Sequence, residues 1–588
     1  MITTAVTARG GSWLIEDASA DGAFTRERLD DEQRLVGRTA EEFIDKEVTP
    51  VTDRLEQKDW DLARSLVRRA ADLGLLATDV PEAYGGLDLD KVSSVVVGEA
   101  IGRSASFATT FGAQTGLAIT PILCFGTEDQ KTRYLPALIS GELIGAYALS
   151  ESGSGSDALG ARARARREPD GSYVLNGEKM WITNGGFAGV FIVFAKVDMP
   201  ESAKGDGAFS AFIVERAFPG VTTGKEEHKL GLLGSSTTPL ILQDAKVPAA
   251  NLLGEIGKGH KIAFNTLNYG RLKLGAMCSG GARMAIEEAA RYATQRKQFG
   301  KSIASFGAIK QKLGDMTARL YAVEAMLYRT AGLIDTLLQD GHSPSQILAA
   351  LEEFAIEASI LKVSSSETLD FILDENVQIH GGNGFVRDYP AERHYRDARV
   401  NRIFEGTNEI NRMLIPGMLA RRALKGGLPL IPAAKQLMDE IMAPPSMEAP
   451  SDAPLDAERR AVTAMKKVAL MVLGTAMQTY GMALQDEQEV LLAAADIVIE
   501  TYAGESAVLR AAQAGGPLHE AAARTFVNDA ATRVEASART ALAAMADGDQ
   551  LRTLLAALRR LLKVTPANTI ALRRQLADAT VERRGYLF

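Results

Sequence analysis

Cysteine is nearly absent: 588 residues contain two, Cys124 and Cys278, both among apolar neighbours. They leave no disulfide framework and suit a reducing compartment. The six histidines are scattered without metal-ligand spacing, so no metal centre is expected. An excess of positive charge is missing too. Lys and Arg number 66 against 74 Asp and Glu, a net charge of −8, which argues against nucleic acid as the main partner. No apolar run reaches the roughly 18 residues that a membrane-spanning helix needs. Residues 1–26 mix acidic side chains, glycines and Trp13, and lack the basic, apolar, small-residue order of a secretory signal. The remaining composition is ordinary, 46% hydrophobic and 24% charged, in a chain long enough for roughly three to four domains.

Residues 1–30 read as an arm, which can clip onto the body through Trp13, Leu14 and Ile15. From Asp31 the period is helical: Leu35, Val36, Ala40, Phe43, Ile44 and Val48 share a face, and Pro50 follows. A second amphipathic helix lies near 60–73, a turn cluster at 81–86, and a capped helix start at Gly126-Thr127-Glu128-Asp129-Gln130. Together they make an all-α domain over 31–144. The stretch 173–186 alternates and turns like a β-hairpin, and 190–195, 211–214 and 240–242 are further strands. This gives a small, mostly antiparallel β domain over 145–253. From Asn265 the chain is helical again, with Asn268-Tyr269-Gly270-Arg271 at the opening and long helices at 305–339 and 344–373, an antiparallel bundle over 254–425. Proline and serine mark 426–457 as a linker. Residues 458–588 read as a further helical domain without a titratable cluster, broken at Gly515-Gly516-Pro517 and Asp547-Gly548-Asp549. The fold class is mainly α with a central β domain (α+β).

Two glycine runs, Gly153-Ser154-Gly155 and Gly381-Gly382-Asn383-Gly384, fail as dinucleotide fingerprints, because neither lies between a strand and a helix of a βαβ unit. The stretch 396–412 carries more. It sets Glu405 after Ile403 and Phe404 and before Gly406. Apolar neighbours would desolvate that carboxylate and raise its pKa. Gly406 lets a ligand or backbone come close, and Thr407, Asn408 and Glu409 read as a capped helix start. A glutamate so placed suits a general base that removes a weakly acidic C–H proton. The competing reading is a structural carboxylate paired with Arg399 or Arg402.

Ile403-Phe404-Glu405-Gly406-Thr407 resembles the catalytic loop of the acyl-CoA dehydrogenases. Other motifs follow in that family's order over roughly residues 30–425. Tyr147-Ala148-Leu149-Ser150-Glu151-Ser152-Gly153-Ser154-Gly155-Ser156-Asp157 resembles its first signature, with Ser152 where proline is usual. Gln295-Arg296-Lys297-Gln298-Phe299-Gly300-Lys301 resembles the second. Gln378-Ile379-His380-Gly381-Gly382-Asn383-Gly384-Phe385 resembles its flavin-contacting turn. The likeness is strongest to the very-long-chain branch and its bacterial relatives, which carry an extra C-terminal domain.

The resemblance implies an FAD-dependent oxidation of long or very long acyl-CoA thioesters to trans-2-enoyl-CoA in fatty-acid β-oxidation. Glu405 would remove the α-proton, FAD would take the β-hydride, and an electron-transfer flavoprotein would receive the electrons. Implied FAD contacts are Tyr147, Leu149, Ser150, Ser156, Trp181, Ile182, Thr183, Thr407 and Glu409, with Ser150 and Thr183 at the flavin edge. Trp181 would stack near the ring, or else belong to the core. Arg296 would reach the FAD diphosphate of a neighbouring subunit, where a guanidinium fork suits the ligand, and Phe299, Gln378, Gly381 and Gly382 would lie beside it. Ser156, Asn268, Arg271, Phe404, Glu405 and Gly406 would line the acyl-CoA path. Gly112, Ala113 and Gly116 would leave a deep acyl slot, or else simply let two helices pack closely. A homodimer is implied, in the cytoplasm of a bacterial-type cell, with membrane contact at most weak and peripheral. The rival readings are an acyl-CoA oxidase that uses oxygen and a flavoprotein with an added assembly role.

Overall fold

The Asp30 side chain accepts the Gln33 N–H while Gln33 returns a bond to the Asp30 N–H, a capping box that satisfies two helix-end donors. In the computed structural model, which describes residues 9–198, 207–339, 342–443, 451 and 453–588, this box starts α1 (Asp31–Phe43). Ala40, Phe43, Ile44 and Val48 are buried as the period predicts, but Leu35 is 57% exposed. It lies about 100° around the helix from Val36 and misses the buried stripe. Helices α2 (Trp60–Asp72), α3 (Lys91–Ile101), α4 (Ala105–Gly112) and α5 (Glu128–Ile139) follow, and α4 runs on into a π-helical segment, Ala113–Ile119.

The strands are β1 (Gly145–Ala148), β2 (Arg164–Arg167), β3 (Tyr173–Thr183), β4 (Val190–Val197), β5 (Ala208–Glu215), β6 (Val221–Thr223), β7 (Thr237–Val247) and β8 (Leu252–Leu253). They form one sheet in the order β6-β7-β3-β2-β4-β5-β8, with β1 parallel to β4. The expected hairpin over 173–186 is instead a single strand through Thr183. Asn176-Gly177 is absorbed as a bulge, because β7 pairs with β3 along both sides of it.

α6 (Gly259–Gln295) begins before residue 265, so Asn268-Tyr269-Gly270-Arg271 lies inside the helix rather than opening it. α7 (Gly307–Leu338) is followed by two helices in place of the single one expected, α8 (Pro344–Glu353) and α9 (Ala355–His380), divided at the buried Phe354. α10 (Ala391–Ala398) and α11 (Asn408–Leu424) close this part. The stretch read as linker carries α12 (Leu430–Met442), with Leu430 and Leu437 buried; its residues 444–450 and 452 lie outside the described residues. Then come α13 (Asp456–Tyr480), α14 (Gln488–Ala514), α15 (Pro517–Met545), α16 (Gly548–Leu561) and α17 (Thr569–Arg583).

The arm clips on through Trp13 and Leu14, both buried; Trp13 Nε1 donates to Glu357 Oε1 at 2.9 Å, and its ring lies 4.7 Å from Tyr502. The C-terminal helices do contribute to a titratable cluster, contrary to the sequence reading, and it forms where they meet α7 and the arm. Buried Arg510 donates to Glu324 Oε2 at 2.9 Å and to Glu27 Oε1 at 2.7 Å, and Tyr586 donates to Glu324 at 3.0 Å. These partners are far apart in sequence, so no local pattern announces them. Among the described residues no helix is long and apolar enough to cross a membrane.

Candidate active site

Glu405 sits between the short 3-10 turn Arg399–Arg402 and α11. Its φ of 58° and the 79° of Gly406 put two consecutive residues in the left-handed region. A non-glycine residue there is strained, and such strain persists only where the surroundings fix it. Here Asn411 Nδ2 donates to the carbonyls of Gly406 (2.9 Å) and Thr407 (3.0 Å), and Arg271 Nε donates to that of Glu405 (3.2 Å). Thr407 caps α11 by accepting the Ile410 N–H at 3.2 Å.

The turn aims the Glu405 carboxylate at α6. Its Oε2 is sealed from solvent and has no hydrogen-bond partner among the described residues. Burial raises the carboxyl to about 7, against the pull of Arg271 and Lys362. The sequence reading assigns the desolvation to Ile403 and Phe404, but Ile403 is 52% exposed. Phe404 is half-buried and lines the same cavity, and Gly270 of α6 lies against the carboxylate. Of the two arginines in the structural-pair alternative, Arg402 goes to Asp370 at 3.0 Å and Arg399 is exposed, and Glu405 Oε2 has no hydrogen-bond partner among the described residues.

A cavity of about 1250 Å³ opens in front of this carboxylate. Tyr147, Leu149, Ser150, Ser156, Trp181, Ile182, Thr183, Asn268, Arg271, Phe404, Gly406 and Thr407 all line it with Glu405. A register shift in β3 between Lys179 and Ile182 holds Trp181 at φ 59° and turns its ring outward, 56% exposed, so it is not core. The loop after β1 is seated by a buried pair: Lys179 Nζ donates to Glu151 Oε1 at 2.6 Å and to the Leu149 carbonyl at 3.1 Å. Arg271 is buried and donates to Asn268 Oδ1 at 2.9 Å; burial lowers its guanidinium to about 10.

Gly112, Ala113 and Gly116 also line the cavity. They belong to a slot between α4 with its π segment and α6, whose lining residues Gly270, Leu274, Met277, Gly281 and Met284 recur at helical spacing. From Gly270 to Met284 that wall is about 21 Å long. Close helix packing by glycine occurs at Gly98, Gly102 and Gly280, and a Cβ at Gly112 would also stand 3.2 Å from Met277 Cε of α6.

Six expected residues stand apart. Glu409 points to solvent and away from the cavity. Arg296, Phe299, Gln378, Gly381 and Gly382 do not line it either. The ends of α6 and α9 meet where Tyr292 stacks on His380 at 4.1 Å, which gathers these five on one exposed edge of the chain; Phe299 is 92% exposed. Sequence reasoning missed Gly270, Asn411 and Lys362. Lys362 is fully buried, its Nζ donates to Asn408 Oδ1 at 2.6 Å, and burial brings it down to about 8. The available signal was a charge inside the apolar run Ile360-Leu361-Lys362-Val363.

One face of the sheet packs on the helices, and the Glu405 carboxylate meets the cavity lined by both. Models of the acyl-CoA dehydrogenase N-terminal, middle and C-terminal domains match residues 30–142, 146–245 and 257–419, and a further C-terminal domain model matches 464–560. A probable acyl-CoA dehydrogenase of Bacillus subtilis is 49% identical over 98% of both chains. The crystal structure of an acyl-CoA dehydrogenase from Bacillus anthracis complexed with FAD superposes with a TM-score of 0.96 at 47% identity, covering 99% of this chain and 100% of that one. Butyryl-CoA dehydrogenase from Megasphaera elsdenii gives a TM-score of 0.61 at 37% identity, over 67% of this chain and 99% of its own. The chain belongs to the acyl-CoA dehydrogenase family.

Proposed function

We propose that this protein oxidises long-chain acyl-CoA thioesters to trans-2-enoyl-CoA, with Glu405 as the base that removes the α-proton. The Glu405 carboxylate, its Oε2 sealed and without a hydrogen-bond partner among the described residues, lines the cavity that continues into a long slot, and this carries the reading. A base with a pKa near the working pH combines an ionised population with a useful drive for proton transfer. Arg271 and Asn411 grip the carbonyls around it and hold its strained turn. The Glu405 N–H is the protein donor assigned to the thioester oxygen, where negative charge develops.

FAD is the cofactor assigned to the cavity. The half-exposed indole of Trp181 and the hydroxyl-bearing Ser150, Ser156, Thr183 and Thr407 suit a flat, polar-edged heteroaromatic group. When bound, it supplies the two-electron acceptor for the β-hydride. Arg296, Phe299, Gln378, Gly381 and Gly382 are assigned to a second subunit's cofactor in a homodimer, because their exposed edge cannot serve the cavity of their own chain. Small residues at Gly112, Ala113 and Gly116 and the length of the slot favour a long tail. An electron-transfer flavoprotein is the assigned acceptor, as part of β-oxidation.

The test is anaerobic mixing of the yellow holoprotein with acyl-CoAs of graded length. Bleaching of the flavin by long-chain substrates, with dye reduction and little peroxide on aerobic turnover, is expected. A flavin that no acyl-CoA reduces would overturn the reading, and stoichiometric peroxide would replace the acceptor with oxygen.

A further inference from the structure

Lys362 is a fully buried cation that forms no ion pair among the described residues. Burying an ammonium without a carboxylate is costly, and an apolar side chain of the same length would pack as well. Its hydrogen bond goes to a neutral acceptor, Asn408 Oδ1, at 2.6 Å. Asn408 is the first residue of α11 and lies three positions after Glu405. Its amide is held from all sides by α9: Ser366 Oγ donates to Oδ1 at 3.3 Å, while Nδ2 donates to Glu367 Oε1 at 2.9 Å and to Ser366 Oγ at 3.1 Å. Glu367 is occupied in turn by Arg412, which donates to both its oxygens at 2.6 and 2.9 Å. So Lys362 has no carboxylate to itself. The carboxylate left without a partner at this corner is Glu405, whose Oε2 accepts no hydrogen bond among the described residues.

We propose that Lys362 is a positioning residue for Glu405: its ammonium fixes the start of α11 through Asn408, three residues after the base, and places a buried positive charge behind the active-site turn. The role rests on the reading of Glu405 as the base. The other charged or titratable groups at this corner are Arg271 and Cys278 from α6, Tyr147 from β1, Glu367 from α9, and Glu409 and Arg412 from α11. Arg271 is the larger positive influence on the carboxyl, and its guanidinium also bonds the Glu405 carbonyl and Asn268. Lys362 is the additional cation, carried by α9, and like Arg271 it opposes the effect of burial on the base.

The experiment measures the rate of flavin reduction by acyl-CoA against pH in the holoenzyme, for wild type, Lys362→Gln, Lys362→Met and Lys362→Arg. Gln keeps a donor for Asn408 and removes the charge. The acidic limb of the profile should rise by about one pH unit in Gln and Met, with much of the rate recovered at high pH, since an opposite charge close by shifts a carboxyl by about 1–3 units. Arg should return the limb to the wild-type position. Should Gln fail to retain flavin, Met gives the same reading. A wild-type limb in whichever neutral variant folds, with the rate lowered evenly at all pH values, makes Lys362 a packing residue only and overturns the proposal. So does an Arg limb that matches the neutral variants. Failure of the base assignment itself is separate: it would show as flavin reduction surviving in Glu405→Gln, whatever the Lys362 variants do.

Discussion

The Glu405 carboxylate lies against Gly270: a Cβ at position 270 would stand 2.7 Å from Glu405 Oε2 and 3.2 Å from Cδ. The glycine therefore serves as the seat of the carboxylate, in the interior of α6 where alanine would be the better helix former. Gly270→Ala should fold and displace the carboxylate. A misplacement of about 1 Å at a reacting group costs on the order of 10²-fold, so kcat should fall by roughly that factor. An unchanged kcat in stopped-flow flavin reduction would show that the carboxylate does not need this seat.

Glu405→Gln keeps the shape and removes the base, so flavin binding should survive while reduction by acyl-CoA falls by about 10²–10⁴-fold or more. The variant should also be more stable, with a definite pH dependence. Burial holds the Glu405 carboxyl at about 7, above its ordinary value of 4.5. The folded state thus binds this proton more tightly than the unfolded state does. The ionised carboxylate weakens the fold progressively between pH 4.5 and 7, and fully above that. Melting temperatures of the variant and the parent should differ at pH 8 and converge near pH 4.5. In the parent, flavin reduction should lose rate as pH falls through about 7. A stability difference that grows toward low pH would reverse the assigned sign.

Much of this site could be read from the sequence because its signals are local. The Glu405-Gly406 turn, the Thr407 cap and the small residues at 112–116 each depend on near neighbours. The parts that escaped depend on packing between distant segments. Lys362 meets Asn408 across 46 residues, and Arg510 meets Glu324 across 186. The desolvating wall was misread in part, at Ile403, for the same reason. Adjacency suggested Ile403, but the left-handed turn at Glu405 faces the carboxylate toward α6 and leaves Ile403 half outside. Asn176-Gly177 reads as a hairpin turn by composition, and only the long pairing with β7 makes it a bulge.

Arg296→Ala tests the assigned second subunit. Arg296 and Phe299 are exposed beside the turn at Gly381 and Gly382, where a Cβ would meet nothing within 4 Å. Loss of one guanidinium that spans a subunit boundary should lower flavin occupancy and weaken the dimer together, as read by the absorbance ratio and by light scattering across a dilution series. Loss of flavin with an intact dimer would place Arg296 on a ligand of its own chain.

Ala113→Leu tests the slot. Ala113 is buried and lines the cavity between Gly112 and Gly116. A branched side chain there should cut kcat/KM for long acyl-CoAs by tenfold or more, the equivalent of about 1.4 kcal/mol of lost tail binding, and leave short acyl-CoAs nearly untouched. Equal losses at all lengths would mean that the tail takes another path.

Arg510→Ala tests how the C-terminal helices hold the rest of the chain. The Arg510 side chain is fully buried, as is that of its partner Glu324, and the guanidinium also lies 4.3 Å from the Tyr321 ring centroid. Such a network is a weak source of net stability, because both charges give up their hydration. Removing one member is different: Glu324 would stay buried and lose its guanidinium partner from α14, which typically costs about 3–5 kcal/mol. Glu324 still has Arg283 at 3.2 Å and Tyr586 at 3.0 Å, so the loss should fall toward the lower end. The same contact ties down Glu27 of the arm, so the damage should spread along the interface rather than to Glu405. The expected result is a lower melting temperature and faster hydrogen exchange in α14 and α7, with the rate of flavin reduction in the folded holoprotein unchanged. Exchange confined to the Glu405 loop, or a slower flavin reduction at full occupancy, would show that the C-terminal helices act on the active site and not only on the fold.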